Sequence, residues 1–254
     1  MTIMGVARDP SSIGRALWLA LAAAWLPAAA PAADPVNLEG TWKTSAPQSA
    51  FKSEGGSIPF TDIGRKRYEQ NKRNLAKRAY EEYDYATARC ASPGLPRLML
   101  TPERFRIWQR PGWVAIQFEW NRLARQVELG SVAQPQLRVA PDSLFGADDV
   151  IVGRGVPVSR GHWEGDTLVV ETKGFQDNTL IDNLVPHGYD LKTTERIRLK
   201  GADTLEDHIT IEDPKYFKQP WQTVVTYQRQ PDDAFPENVC LDTRTADGAA
   251  AVKP

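Results

Sequence analysis

From residue 104 onward the apolar positions recur every second residue. Phe105, Ile107 and Gln109 alternate with Arg104, Arg106 and Trp108; after Pro111-Gly112, Val114, Ile116, Phe118 and Trp120 alternate with Ala115, Gln117 and Glu119. A period of two on both sides of a Pro-Gly turn predicts a β-hairpin. A third run covers residues 122–129, and a stretch rich in Pro, Asp and Gly follows to about Gly155. His162-Trp163-Glu164 then leads through Gly165-Asp166 into residues 167–172, a second hairpin signal. Residues 192–199 and 205–211 read as strands joined by the turn 200–203, and residues 222–230 as a last long strand. With the Gly40-Thr41-Trp42 entry to a strand near residue 37, eight or so strands with short turns predict an antiparallel barrel or strongly curved sheet.

The period changes between residues 61 and 83. Ile63, Tyr68, Leu75, Ala79 and Tyr80 stand among Arg65, Lys66, Arg67, Lys72, Arg73, Lys77 and Arg78, which predicts one amphipathic helix outside the sheet. Its apolar stripe is too narrow for a central position, and its charges read as a solvated face. At the N-terminus, Arg8 and Arg15 precede the apolar run 16–30 and then Pro31-Ala32-Ala33. That order predicts a cleavable signal peptide over residues 1–33, followed by a single β domain over residues 34–254. The run is shorter than the ~20 residues of a membrane-spanning helix, so no stable membrane insertion is expected after cleavage.

Composition narrows the partners. A formal net charge of -1 gives no global attraction to nucleic acid, which is excluded as an expected partner. Cys90 and Cys240 are the chain's two cysteines, and an exported pair is expected to form a disulfide, with two free thiols as the alternative. The expected compartment is the periplasm or the exterior.

Residues 161–175, Gly-His-Trp-Glu-Gly-Asp-Thr-Leu-Val-Val-Glu-Thr-Lys-Gly-Phe, together with Arg89-Cys90-Ala91-Ser92-Pro93-Gly94-Leu95-Pro96-Arg97, residues 212–221 and the late Cys240, resemble a large family of exported bacterial proteins. The resemblance spans roughly residues 89–240. Its Gly-x-Trp start and succession of strands look lipocalin-like, or calycin-like, and a barrel of that kind has room for packed side chains or one small ligand. Where the family reads Pro-His-Ser-acid-x-Leu-His-x-x-Glu-Arg, this chain matches with Pro186, His187, Leu191, Glu195 and Arg196 but carries Gly188, Tyr189 and Lys192 instead of the Ser-acid pair and the second His.

Candidate chemistry gathers at that segment. Alternation places Glu195, Ile197 and Leu199 on one face and Thr194, Arg196 and Arg198 on the other. An inward Glu195 needs a partner or a raised pKa, a mark of functional carboxylates as well as of structural ion pairs. His187 and Glu195 are the candidate catalytic pair, and Trp163, Tyr189, Asp190 and Arg196 the candidate ligand contacts. No zinc motif, nucleophile elbow or phosphate-cradling loop occurs, so neither metal nor cofactor is expected. Two functions follow as expectations: a barrel binding a small apolar or aromatic ligand, or a cofactor-free isomerase, lyase or hydrolase moving a proton between His187 and Glu195. N-terminal sequencing of periplasmic protein should read from Ala33 or Asp34; intact Met1 in the membrane fraction would contradict the leader.

Overall fold

The computed structural model describes Met1 and residues 36–46, 48–130 and 157–240. Asp34–Pro254 forms one compact unit. The expected signal peptide, apart from Met1, and the Pro-, Asp- and Gly-rich stretch beyond Gly130 lie outside the described residues.

Nine strands close into a barrel in sequence order: β1 (Gly40–Thr44), β2 (Phe105–Arg110), β3 (Trp113–Phe118), β4 (Ala124–Leu129), β5 (Val158–Glu164), β6 (Thr167–Lys173), β7 (Lys192–Gly201), β8 (Thr204–Glu212) and β9 (Trp221–Gln230). The sheet closes where Thr41 to Thr44 pair with Gln230 to Tyr227, so the hydrogen-bonding edges of β1 and β9 meet. Every neighbouring pair is antiparallel except β4 and β5, which run parallel with Val127 opposite Ser159. This departs from the wholly antiparallel expectation. A parallel neighbour requires a long crossover, and residues 131–156 supply the chain length that a hairpin turn would not.

The short turns β2–β3, β5–β6 and β7–β8 share one end of the barrel, while the described connections β1–β2, β6–β7 and β8–β9 lie at the other. Leu98, Met99 and Leu100 from a 3-10 turn (Arg97–Leu100), and Phe175, Ile181, Val185 and Leu191 from the β6–β7 connection, belong to the same core cluster as the barrel interior. Apolar side chains thus stopper the loop end. Arg97 fastens this stopper: its guanidinium donates to both carboxylate oxygens of Asp84, at 2.7 and 3.0 Å, and to Asn183.

The expected helix forms, but shorter, and of its expected apolar stripe Tyr68 packs against the core while Ile63 and Leu75 do not. α1 spans Asp62–Ala76, with Thr61 Oγ1 accepting from Gly64 N at 3.1 Å as its cap. It ends because Ala79 N donates to Asn74 O and Arg78 N to Leu75 O, a Schellman arrangement that places Arg78 at φ 55°. No glycine marks that stop. Ile63 and Leu75, expected to pack, are exposed; the buried positions are Gly64, Asn71 and Asn74. The helix docks on loop backbone, with Asn71 Nδ2 donating to Leu184 O at 2.8 Å, so small and polar side chains face inward.

At the C-terminal side, the chain after β9 passes β2, where Arg104 binds Asp233 and the Ala234 carbonyl and Arg106 stacks on Phe235, and then pairs with the β3–β4 connection through Asn238 and Glu119. Cys240 ends this segment in a disulfide to Cys90, with a Cα–Cα separation of 5.7 Å. The expected pairing is therefore present, and it closes a separation of 150 residues. No helix among the described residues is long and apolar enough to cross a membrane.

Gly64 gives a sign test of the helix docking. Glycine to alanine inside a helix ordinarily stabilises by about 1 kcal/mol. Here a Cβ would overlap the Tyr216 carbonyl oxygen, so Gly64→Ala should instead lower stability in urea unfolding. A stabilised variant would show that α1 does not pack as described.

Candidate functional site: a polar wall inside the barrel

The barrel interior has two unlike sides. On β2 and β3, Phe105, Ile107, Val114, Ile116 and Phe118 make it wholly apolar. On β4 to β9 the inward parity is interrupted by Arg125, Ser159, Thr172, Glu195, Asp207 and Thr223, all buried. Strand alternation causes this: Asp207 sits between Leu205 and Ile209, and Arg125 precedes Val127, so a polar side chain takes an apolar slot.

Arg125 organises the wall. Its guanidinium forms a two-pronged ion pair with Glu195, Nη1 donating to Oε1 at 2.8 Å and Nη2 to Oε2. Nε donates to Ser159 Oγ at 3.0 Å and Nη2 also to Thr172 Oγ1 at 2.9 Å, while the two hydroxyls are 2.9 Å apart. Burial works against the guanidinium charge, but the facing Glu195 outweighs it and holds Arg125 above the ordinary arginine range.

Asp207 is the unbalanced member. Burial pushes its carboxyl well above the usual carboxylate range, the Glu195 charge pushes it further, and Arg125 only partly opposes this. Among the described residues no donor reaches either of its oxygens. The neighbouring acid is Glu195, already held by Arg125, and two carboxyls in contact away from water share a proton rather than both ionise. Asp207 therefore carries the proton, and the three groups sum to zero charge. Beside them, burial and the two acids raise the Tyr227 phenol well above its usual value, and its hydroxyl donates to Met99 O at 3.2 Å.

Among the described residues, further buried polar atoms lack a partner: Thr223 Oγ1 and Trp221 Nε1 on β9 of the same wall, and Thr44 Oγ1 on the adjoining β1. Val225 is the cross-strand neighbour of Asp207, so Thr223 and Trp221 continue the row from Asp207 toward the loop end.

The sequence candidates fall in three places. Glu195 is inside, with Ile197 on its face as alternation predicts. His187 is buried at the loop end, edge-on to Phe175. Its Nδ1 faces the Gly188 carbonyl at 3.0 Å, which can only accept, so Nδ1 carries the proton and Nε2 accepts from the Thr179 hydroxyl at 2.9 Å. Burial lowers its pKa, consistent with that neutral ring. No hydrogen bond, ion pair or ring contact joins His187 to Glu195 among the described residues. Tyr189 and Asp190 are exposed, and the Tyr189 phenol is raised by its hydrogen bond to Asp177. Trp163 is partly buried against the core. Arg196 lies on the outer wall, paired with Glu164 at 2.7 Å, where it borders a hollow of about 330 Å³ with Arg198 and His208. Among the described residues no group of three metal-ligating side chains occurs.

Sequence reading missed Arg125, Asp207, Tyr227, Thr223 and Trp221 as a group. The signal was present: the parity argument that singled out Glu195 also marks Arg125 and Asp207 as charges in apolar registers. Compared with known protein families, curated proteins and solved structures, the chain matches none of them.

Asp207 yields a pH dependence of defined sign. A carboxyl whose folded pKa is raised favours the fold below about pH 4, the ordinary value, and loses that contribution as pH rises toward the folded value. Over that window this group alone lowers stability by about 1.4 kcal/mol per pH unit. The stability of Asp207→Asn relative to the parent should therefore grow with pH in denaturant titrations; a pH-independent difference would place an ionised Asp207 in the fold.

Proposed function

We propose that this chain is an exported binding protein whose barrel holds one small, mostly apolar or aromatic compound against the polar wall. The observation that carries the reading is the row of buried, unpartnered polar atoms at Asp207, Thr223 and Trp221. Folded proteins leave few such atoms, because each unmade hydrogen bond costs about 1–3 kcal/mol, and those that persist mark a bound water, ion or ligand. The apolar wall of β2 and β3 faces this row, a combination suited to a compound with an apolar body and a polar edge. The disulfide, the predicted leader and the family resemblance support export and leave the chemistry open.

A cofactor-free enzyme is the second reading. The pairing of Glu195, held by Arg125, with a protonated Asp207 favours it, since two neighbouring carboxyls in unlike surroundings can serve as base and acid. In that case Glu195 would work with Asp207, while His187 is oriented toward Thr179.

Protein isolated under native conditions should release a compound on unfolding, detected by mass spectrometry. Asp207→Leu should release none while being at least as stable as the parent, because it removes an unsatisfied buried acid. An empty parent, or a variant that retains the compound, would refute the binding site.

A further inference from the structure

The polar wall defines the charge class of its ligand as well as its place. Arg125 and Glu195 neutralise each other in two-pronged contact, both nearly inaccessible to water, with side-chain exposures of 4% and 2%. Asp207, equally buried, has no donor on either oxygen among the described residues. An anion at Asp207 would add a second negative charge beside Glu195. A cation would have to displace the Asp207 proton and sit in the field of the Arg125 guanidinium; the ionised Asp207 would balance its charge, but only as a second dry ion pair beside the first. An anion would be buried without compensation, and dehydrating both partners of a buried ion pair commonly costs more than their attraction returns, so both ions are disfavoured against an uncharged compound.

The unpartnered atoms also have a polarity. A protonated Asp207 turned toward Glu195 keeps free lone pairs on its carbonyl oxygen, so it accepts. Thr223 Oγ1 can donate or accept, and Trp221 Nε1 only donates. Val225, opposite Asp207, lies four residues from Trp221 along β9, so the row is roughly 13 Å long. That is the length of a two-ring or ring-plus-chain compound.

We infer that the barrel takes an uncharged compound that presents a hydroxyl or amide N–H to Asp207 and an acceptor oxygen to Trp221 Nε1, as a phenol or alcohol bearing a distal carbonyl or ether does. The inference rests on the binding reading above and deepens it. Neither the arginines of the outer wall nor the His187–Thr179 pair enters this recognition.

Three probes of one size separate the charge classes: 4-methylphenol, 4-methylbenzoate and 4-methylbenzylammonium, titrated calorimetrically at neutral pH into the purified chain with its disulfide formed. The phenol should bind saturably, the two ions at least about 100-fold more weakly, and Asp207→Leu should lose phenol binding while keeping a parent-like circular dichroism spectrum. Binding of either ion as tight as that of the phenol overturns this inference and leaves the binding reading standing. If no probe binds, the natural compound decides: an uncharged one released on unfolding supports the class, a charged one overturns it. No compound and no probe binding would mean that the row holds water only, and both readings fall together.

Discussion

The interior depends on one constraint: a guanidinium and two carboxyls buried in a single barrel must reach zero charge without water. Arg125 and Glu195 achieve this as a pair, with Ser159 and Thr172 filling further guanidinium donor positions. Removing one partner of such a pair typically costs 3–5 kcal/mol, because the other is left charged and dry. Asp207 is then the surplus acid, and its proton is the remaining means of neutrality. This organisation is local to β4 to β9; the facing strands remain apolar.

The barrel supplies the conditions that make the constraint severe. Closure between β1 and β9 removes the open edge, and the stopper of Leu98, Met99, Leu100, Phe175 and Ile181 seals the loop end. The stopper is itself tied to the polar wall, since Tyr227 donates to Met99 O, and it is fixed from outside by Arg97 on Asp84. The Cys90–Cys240 bridge joins the segment preceding this stopper to the chain that follows β9 and passes β2. Packing, covalent linkage and charge balance thus converge on the same end of the barrel.

Strands were legible because alternation over Phe105–Arg110, Trp113–Phe118, Thr167–Lys173 and Thr204–Glu212 leaves one register with an apolar inner face. The parallel β4–β5 pair was not, since nothing in either strand encodes its neighbour's direction. The helix was legible as a helix but only in part by face: Asn71 and Asn74 look solvent-directed until the Leu184 carbonyl is placed beside Asn71. Glu195 was legible as an inward acid, whereas its pairing with Arg125, 70 residues away, comes from barrel closure. His187 and Glu195 belong to one sequence segment yet enter separate hydrogen-bond networks, as extended chain carries successive groups apart.

The protonation of Asp207 is the claim from which charge balance, ligand polarity and pH behaviour all descend. Infrared difference spectroscopy between the parent and Asp207→Asn at neutral pH measures it directly, through the C=O stretch of a protonated carboxylic acid and its shift in deuterium oxide. The account predicts that band in the parent and its loss in the variant. A parent spectrum with only carboxylate bands lost on substitution would contradict it.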